Sequence, residues 1–180
     1  MNYYKVIFCN EYSKSNSKFG LIRVNKKIDE YQLEDCKPFP DKLIDNLLFL
    51  FDGEIDDELA DNQMMIYPWR LISEKLYKIL KPYNINKDIL FYPIEIVKNS
   101  ELHKYYIMHF NKKLDVIDRY NSKMHNLGIP MRPKVFTEKL DGIHLFNYME
   151  EVGDSFCVSD LLKEEMEKQG ITGCHYQKIS

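Results

Sequence analysis

Nine side chains in this sequence are of the types that bind metals or act as nucleophiles, namely His103, His109, His125, His144, His175, Cys9, Cys36, Cys157 and Cys174. None of them stands in an H-E-x-x-H or C-x-x-C spacing, which is typical of zinc sites. A site could assemble only if the fold joined distant segments, such as those of His144, Cys157, Cys174 and His175. Cys174 and His175 are poor partners for each other, because adjacent side chains on a strand point to opposite faces. We predict no metal site.

Two serines, Ser73 and Ser159, each precede an acidic residue and an apolar pattern with helical spacing. A serine hydroxyl in this position accepts a hydrogen bond from the first turn of a helix, so both are predicted to be N-caps. Neither stands in a G-x-S-x-G turn that would expose a nucleophile. The seven glycines form no G-x-G-x-x-G or Walker A sequence. The sequence thus predicts no catalytic residue and no cofactor; an enzyme with a site built from separate segments remains an alternative.

The most concentrated charge in the sequence is a run of six carboxylates within ten residues, at Asp52, Glu54, Asp56, Asp57, Glu58 and Asp61. The run begins like a calcium loop, but it has Asp57 where that loop needs glycine and Gln63 where it needs glutamate. Like charges repel one another, so stability alone gives no reason to collect them. We predict that Asp56, Asp57, Glu58 and Asp61 lie on the surface and help to dock a basic partner. The alternative is a solvated acidic loop.

Two large aromatic side chains follow the acidic run, with Tyr67 and Trp69 on either side of Pro68. Tyrosine and tryptophan are favoured as anchors at protein interfaces. We predict that Tyr67 and Trp69 are exposed and form the apolar part of the same docking surface, with packing in the core as the alternative.

The length and composition suit a folded protein of ordinary size. The chain has 180 residues and a mass of 21.6 kDa, with 44% hydrophobic and 29% charged residues. We therefore expect a single domain over residues 1–180, in which an N-terminal hairpin region and an acidic segment precede residues 64–180. A net charge of −3 argues against a nucleic-acid partner, which normally selects an excess of Lys and Arg.

Targeting signals are not evident in the sequence. No stretch approaches 18 consecutive apolar residues, and the first ten residues contain only a short apolar run. A transmembrane helix needs about 20 apolar residues and a signal peptide needs roughly 7–15. The four scattered cysteines do not form a disulfide framework. These observations predict a cytoplasmic protein with reduced cysteines and no membrane partner; they leave the oligomeric state open.

Hydrophobic periodicity predicts strands and helices in alternation. Strands are expected at about 3–9, 19–24, 89–97, 103–110, 114–118, 143–148 and 173–179. Two clear helices are expected at 73–81 and 159–169. Residues 43–51 are ambiguous between a buried strand and a short helix. The first two strands are expected to pair as a hairpin, and the whole is predicted to be an α+β fold with a mainly antiparallel sheet.

Two parts of the sequence repeat one spacing. Apolar residues follow each capping serine at three, seven and twelve positions, which gives Leu76, Leu80 and Ile85 after Ser73, and Leu162, Met166 and Ile171 after Ser159. Each part reads as a strand end, a capped helix and a return strand. One interpretation is a repeated structural unit; the other is that any capped amphipathic helix shows these offsets.

Several short segments of the middle and end of the chain fall in a familiar order. They are Leu71–Leu76 (LISEKL), Phe91–Ile94 (FYPI), Tyr105–Phe110 (YYIMHF), Val116–Asp118 (VID), Leu145–Phe146 (LF), Val158–Leu161 (VSDL) and Gly170–Gly173 (GITG). This order resembles the Myxococcus-type family of small bacterial immunity proteins, which are found beside polymorphic and contact-dependent toxins. The resemblance covers roughly residues 64–180, and its most particular part is the ending, where a Ser-capped helix is followed by GITG and a strand.

The resemblance implies a cytoplasmic antitoxin that binds and neutralises one cognate toxin domain. It implies no catalytic residues and does not name the toxin. A regulatory or structural protein-interaction domain without a toxin link remains the alternative, beside the enzyme mentioned above. A deep pocket with convergent His, Cys or carboxylate groups would favour the enzyme.

Overall fold

A computed structural model of the chain describes residues 1–9, 19–26, 36–40, 43–54, 57–63, 65, 69–151 and 155–180. The elements in chain order are β1 (Tyr3–Phe8), β2 (Leu21–Val24), β3 (Phe49–Asp52), β4 (Asn62–Gln63), β5 (Arg70–Ser73), α1 (Glu74–Leu80), β6 (Ile89–Lys98), β7 (Glu101–Phe110), β8 (Lys123–Met124), β9 (Pro130–Arg132), β10 (Leu145–Phe146), β11 (Phe156–Ser159), α2 (Asp160–Lys168) and β12 (Cys174–Lys178). Short 3-10 turns lie at Ile44–Asn46, Lys81–Tyr83 and Thr137–Leu140. The predicted α+β class, with two Ser-capped helices and mainly antiparallel pairing, is confirmed.

The strand β1 lies inside a four-stranded antiparallel sheet with the order β10-β11-β1-β12. Tyr3 is opposite Ser159 on one side, and Val6 is opposite Tyr176 on the other. The predicted hairpin between the first two strands is therefore wrong, because β2 pairs with β3 in a different sheet. Closeness in sequence favours pairing, but β1 finds both of its partners in the last part of the chain.

The second sheet has the strand order β2-β3-β6-β7-β5-β4 and curves until its two edges meet. Isolated bridges Phe19–Glu58 and Ile22–Met65 join the segment around β4 to β2. Its pairings are antiparallel except between β3 and β6, which run parallel. Bridging the edges protects strands that would otherwise be open to another chain. The six strands thus form a barrel-like body.

The interior of the barrel is filled by side chains that alternate along its strands, as the period of two requires. Ile22, Phe49, Leu71, Ile96 and Ile107 are among its buried members. At roughly 1.5–3 kcal/mol for each large apolar side chain removed from water, this cluster is a main source of stability.

The two helices lie against both sheets. Ile72 of the barrel, Leu76 of α1, Leu162 of α2 and Val158 of the four-stranded sheet all belong to one buried cluster. The helices begin where their strands end, at Ser73 and Ser159, whose hydroxyls accept hydrogen bonds from the backbone N–H three residues on. Both predicted N-caps are confirmed.

The repeated spacing has a counterpart in the topology. β5 and β6 flank the antiparallel strand β7, and β11 and β12 flank the antiparallel strand β1, so each helix joins two parallel strands across one intervening strand. The apolar positions three and seven residues after each serine are fully buried in both units. The position twelve residues on differs, since Ile85 is exposed whereas Ile171 packs against the core. The shared unit therefore ends with the helix and its strands.

Some boundaries differ from the prediction. The strand expected at 114–118 forms only two isolated bridges, Leu114–Tyr148 and Ile117–Val135, and the strand expected at 143–148 is only β10. The ambiguous residues 43–51 contain a 3-10 turn followed by β3. Of β11, the sequence predicted only a strand end before the helix at 159–169 and no separate strand, because its four residues are all buried and show no alternation.

Candidate partner-binding surfaces

Trp69, which the sequence suggested as an exposed anchor, is buried, with 5% of its surface accessible. Its ring lies 5.0 Å from that of Phe39, centroid to centroid, and Phe39 in turn stacks on Tyr92 at 4.8 Å. The prediction of an exposed Trp69 is wrong, because an aromatic residue entering the barrel is worth more in the core than at the surface. Tyr67 lies outside the described residues.

Asp61 is part of the framework and not of the open surface. Its side chain is 14% exposed and accepts hydrogen bonds from the Ser73 hydroxyl at 2.5 Å and from the backbone N–H of Thr172 at 3.0 Å. The Thr172 hydroxyl also donates to it at 3.1 Å. The carboxylate thus connects the barrel, the N-cap of α1 and the segment after α2. The expectation that Asp61 lies on the surface is wrong for this physical reason.

The GITG segment, residues 170–173, docks on the same part of the barrel. Asn62 donates from its backbone N–H to Thr172 and from its side chain to Gly173, at 3.1 and 2.9 Å. Gly173 has a φ of +74°, and a Cβ there would lie 2.5 Å from the carbonyl oxygen of Asn62. Only glycine fits both the left-handed backbone and the close approach. The motif that carried the family resemblance therefore joins the two sheets.

The other acidic residues differ in exposure. Glu58 is exposed and Asp57 is half-buried, while Asp56 lies outside the described residues. The Asp57 carboxylate accepts a hydrogen bond of 2.9 Å from the backbone N–H of Glu54, and its carbonyl accepts one from Lys98. Contact between these residues and a partner stays a prediction.

The capping serines are tied to polar groups that fix their orientation. Ser73 donates to Asp61, and the hydroxyl of Ser159 lies 2.9 Å from Nδ1 of His144. Ser159 is fully buried and already accepts from the backbone N–H of Leu162, so the Ser159–His144 pair has no access to a substrate. Its geometry is that of a fixed N-cap.

The remaining side chains that could bind a metal or act as nucleophiles are dispersed. Within the part of the chain that the structure describes, no three His, Cys, Asp or Glu residues are grouped as metal ligands would be. Burial raises the pKa of Cys174 to about 12 and raises the pKa of Cys157 as well, which disfavours their reactive thiolate forms at neutral pH. A cleft of about 380 Å³ between the start of β6, the end of β7 and β10 is lined by apolar side chains such as Phe110 and Leu145 together with the charged side chains of Asp88, Lys112 and Asp141.

A further surface, which no motif in the sequence indicated, is the short hairpin of β8 and β9 with its flanks, residues 119–134, named here the 119–134 hairpin. Four of the twelve exposed large hydrophobic side chains among the described residues lie on it: Tyr120 at 95%, Leu127 at 78%, Met131 at 55% and Ile129 at 43%. Exposed apolar side chains are ordinary when scattered, but a local group of them indicates an interaction site.

The 119–134 hairpin is stabilised by hydrogen bonds at its turn and at its base. His125 and Gly128 close the turn, with the N–H of His125 donating to Ile129 at 2.8 Å and the N–H of Gly128 donating to His125 at 2.9 Å. Gly128 has a φ of +78°, which favours glycine. At the base, Asp118 accepts from the backbone N–H groups of Tyr120 and Asn121, each at 3.1 Å. The apolar side chains are therefore presented by an ordered scaffold.

The hairpin is also basic. Residues 119–134 contain Arg119, Lys123, Arg132 and Lys134 but no Asp or Glu, in a chain whose net charge is −3. Lys123 lies directly opposite Arg132 across the two strands. Like charges in that position are destabilising. A 16-residue window without a carboxylate was visible in the sequence, but the exposure of the apolar side chains within it was not.

The model of an immunity protein family (Imm11) matches residues 15–180. The match extends the resemblance found over residues 64–180 towards the N-terminus. No curated protein matches the chain significantly. None of the helices in the described residues is long and apolar enough to cross a membrane.

Proposed function

This chain belongs to the immunity protein family Imm11, and we propose on that basis that it binds a cognate toxin domain and blocks its activity. The observation that carries the proposal is the family match over residues 15–180, which contain β2 to β12 and both helices. A protein with this role acts by occupying a surface of its target, so it needs neither a nucleophile nor a cofactor.

The same proposal includes the setting in which the protein works. A toxin domain from a polymorphic or contact-dependent system acts inside a bacterial cell, so its antitoxin would have to be present in the cytoplasm. The partner is a protein, without a role for nucleic acid or membrane in binding. The dispersed histidines, the buried Cys157 and the half-buried Cys174, whose thiol pKa values are both raised, fit a binding role better than a catalytic one.

We keep Asp56, Asp57 and Glu58 as proposed contributors to the encounter with the toxin domain. Exposed charges of one sign attract a partner region of the opposite sign and speed association more than they strengthen the final complex. The acidic segment belongs to the barrel, whereas the basic 119–134 hairpin follows the bridged segment 114–118. Opposite charges at two places on the molecule would orient a partner that has the opposite arrangement.

The test is co-expression with the toxin domain encoded beside this chain's gene. We expect the wild-type chain to restore growth of cells that produce the toxin domain, and the two purified proteins to form a complex at micromolar concentration or below. Rescue without a complex would point to an enzymatic or regulatory action on the cell. Neither rescue nor complex would leave a protein-interaction domain without a toxin link as the better explanation.

A further inference from the structure

We infer that the 119–134 hairpin is the contact surface for the toxin domain and that it binds a region of that domain in which an apolar depression is bordered by carboxylates. This inference rests on the proposed function, because it names the surface used for the same interaction. No residue of the hairpin belongs to the acidic docking surface predicted from the sequence.

The first argument is the composition and exposure of the hairpin. The side chains Tyr120, Leu127 and Met131 are each more than half exposed, and Ile129 lies between the latter two. Tyrosine, methionine and arginine are enriched in the central parts of protein interfaces. Leu127 lies in the turn between the two strands β8 and β9 and is 78% exposed.

The second argument is that the surface is already ordered. The turn bonds of His125 and Gly128 and the base bonds of Asp118 hold the hairpin without a partner. A further bond of 2.8 Å runs from the N–H of Lys134 to the hydroxyl of Ser122. A preordered loop loses little conformational freedom when it binds, which is the main way that such loops gain affinity.

The third argument is charge. Lys123 and Arg132 stand opposite each other on the two strands, and stability gives no reason for that pair. A carboxylate placed against both side chains would remove the repulsion and form two charge-assisted hydrogen bonds. Residues 119–134 contain no Asp or Glu, and the carboxylate of Asp118 at the base accepts from Tyr120 and Asn121, so the hairpin itself provides no carboxylate for this pair.

These observations favour a toxin domain over two other possible partners, a nucleic acid and a second copy of this chain. Nucleic acids are held by aromatic stacking beside basic groups, whereas three of the four exposed apolar side chains here are aliphatic or methionine. A second copy of this chain would have to offer its acidic segment, but the described residues between 52 and 61 include no exposed large hydrophobic side chain to match the apolar part.

The experiment measures binding of the purified toxin domain to three forms of the full chain. The double variant Lys123→Glu/Arg132→Glu reverses the charge but keeps a like-charged pair, so the hairpin's own stability is matched. We expect it to weaken the complex by at least about tenfold and to remove most of the salt dependence of the association rate. Leu127→Ala is expected to weaken the complex by about tenfold with little change in the association rate.

Matched controls separate the hairpin from general changes. Lys87→Glu/Lys178→Glu alters the net charge equally at exposed sites elsewhere, and Leu161→Ala removes an exposed leucine on α2. Both controls are expected to bind like the wild type, and all variants are expected to keep the wild-type melting temperature within a few degrees.

Each other outcome overturns the inference. Hairpin variants that bind the toxin domain as tightly as the wild type would show that another surface is used, while the proposed function would stand. A wild-type chain that binds no toxin domain would remove the proposed function itself. Binding of a single-stranded oligonucleotide at physiological salt, or concentration-dependent dimerisation, that is lost in the charge-reversal variant would assign the hairpin to one of those occupants instead.

Discussion

Asp61 and Thr172 exchange hydrogen bonds in both directions across 111 positions of the chain. The backbone N–H of Asp61 donates to the Thr172 hydroxyl at 2.9 Å, and the backbone N–H of Thr172 donates to the Asp61 carboxylate at 3.0 Å. Ser73 adds its hydroxyl to the same carboxylate. One residue of the acidic run therefore fastens the end of the chain to the barrel and to the start of α1.

Replacing Asp61 by alanine is expected to lower the free energy of unfolding by roughly 2–4 kcal/mol, because several donors at a half-buried site lose a charged acceptor. Glu54→Ala, at an exposed position of the same acidic run, should change it by less than about 0.5 kcal/mol. Urea denaturation of both variants checks this. Equal effects at the two positions would mean that Asp61 has no special role in the fold.

The two N-caps are expected to differ in how much they contribute to the free energy of unfolding. Ser159→Ala should lower the free energy of unfolding by about 1 kcal/mol, the usual effect of losing a serine cap. Ser73→Ala should cost more, because the second hydrogen bond of Ser73 goes to the charged carboxylate of Asp61, whereas that of Ser159 goes to the imidazole of His144. Denaturation curves give the comparison. A Ser73→Ala variant that lost a hydrolytic activity while keeping its stability would contradict the structural role assigned to this serine.

Gly173 and Gly142 make a matched pair for testing the docking of the GITG segment. Both have positive φ, +74° and +70°, but a Cβ at Gly142 would meet no atom within 4 Å. Gly142→Ala should therefore cost only the left-handed backbone penalty of about 1–2 kcal/mol. Gly173→Ala should cost clearly more, because its Cβ would also collide with the backbone of Asn62. Similar melting temperatures for the two variants would argue against the close approach.

Tyr83 should make stability sensitive to alkaline pH. Burial, together with the carboxylate of Glu165 that accepts a hydrogen bond of 2.7 Å from the Tyr83 hydroxyl, raises the pKa of Tyr83 from 10.0 to about 12. The folded state thus favours the protonated phenol. Its contribution to stability is complete below pH 10 and is lost as the pH rises through 12.

Tyr83→Phe is therefore expected to show a smaller fall in the free energy of unfolding than the wild type between pH 10 and pH 12. Glu165→Gln should give an intermediate fall, since burial still raises the pKa while the neighbouring charge is gone. Denaturation at several pH values measures the difference. Parallel curves for all three proteins would mean that Tyr83 titrates with an ordinary pKa.

Local patterns in the sequence were enough for the elements that are defined by their own residues. The long β6–β7 hairpin follows from two apolar runs around a polar turn, and α1 and α2 follow from Ser73, Ser159 and the apolar spacing after them. The family resemblance was likewise carried by segments that turn out to be core strands, caps and the GITG junction.

Burial and strand pairing that depend on residues far away in sequence could not be predicted from local patterns. Asp61 belongs to an acidic run and Trp69 follows it, and such a run is expected at the surface. In the structure Trp69 is buried in the barrel, and the carboxylate of Asp61 accepts a hydrogen bond from Thr172. The pairing of β1 with β11 and β12 is also decided far away in sequence. The 119–134 hairpin is a candidate interface because its apolar side chains are exposed. The sequence shows that Leu127 and Met131 are apolar, but it does not show whether they are exposed or buried.

The position of β1 inside the four-stranded sheet affects how the chain folds during synthesis. Tyr4 precedes its two partners, Val158 and Lys178, by more than 150 residues in the chain. At roughly 5–20 residues per second, β1 waits on the order of 10–30 s for them. The barrel strands β2 to β7 all lie before residue 111 and can pair much earlier. The four-stranded sheet is therefore expected to close only after β12 has been made, with an unpaired β1 as the segment most exposed to capture by other strands in the meantime.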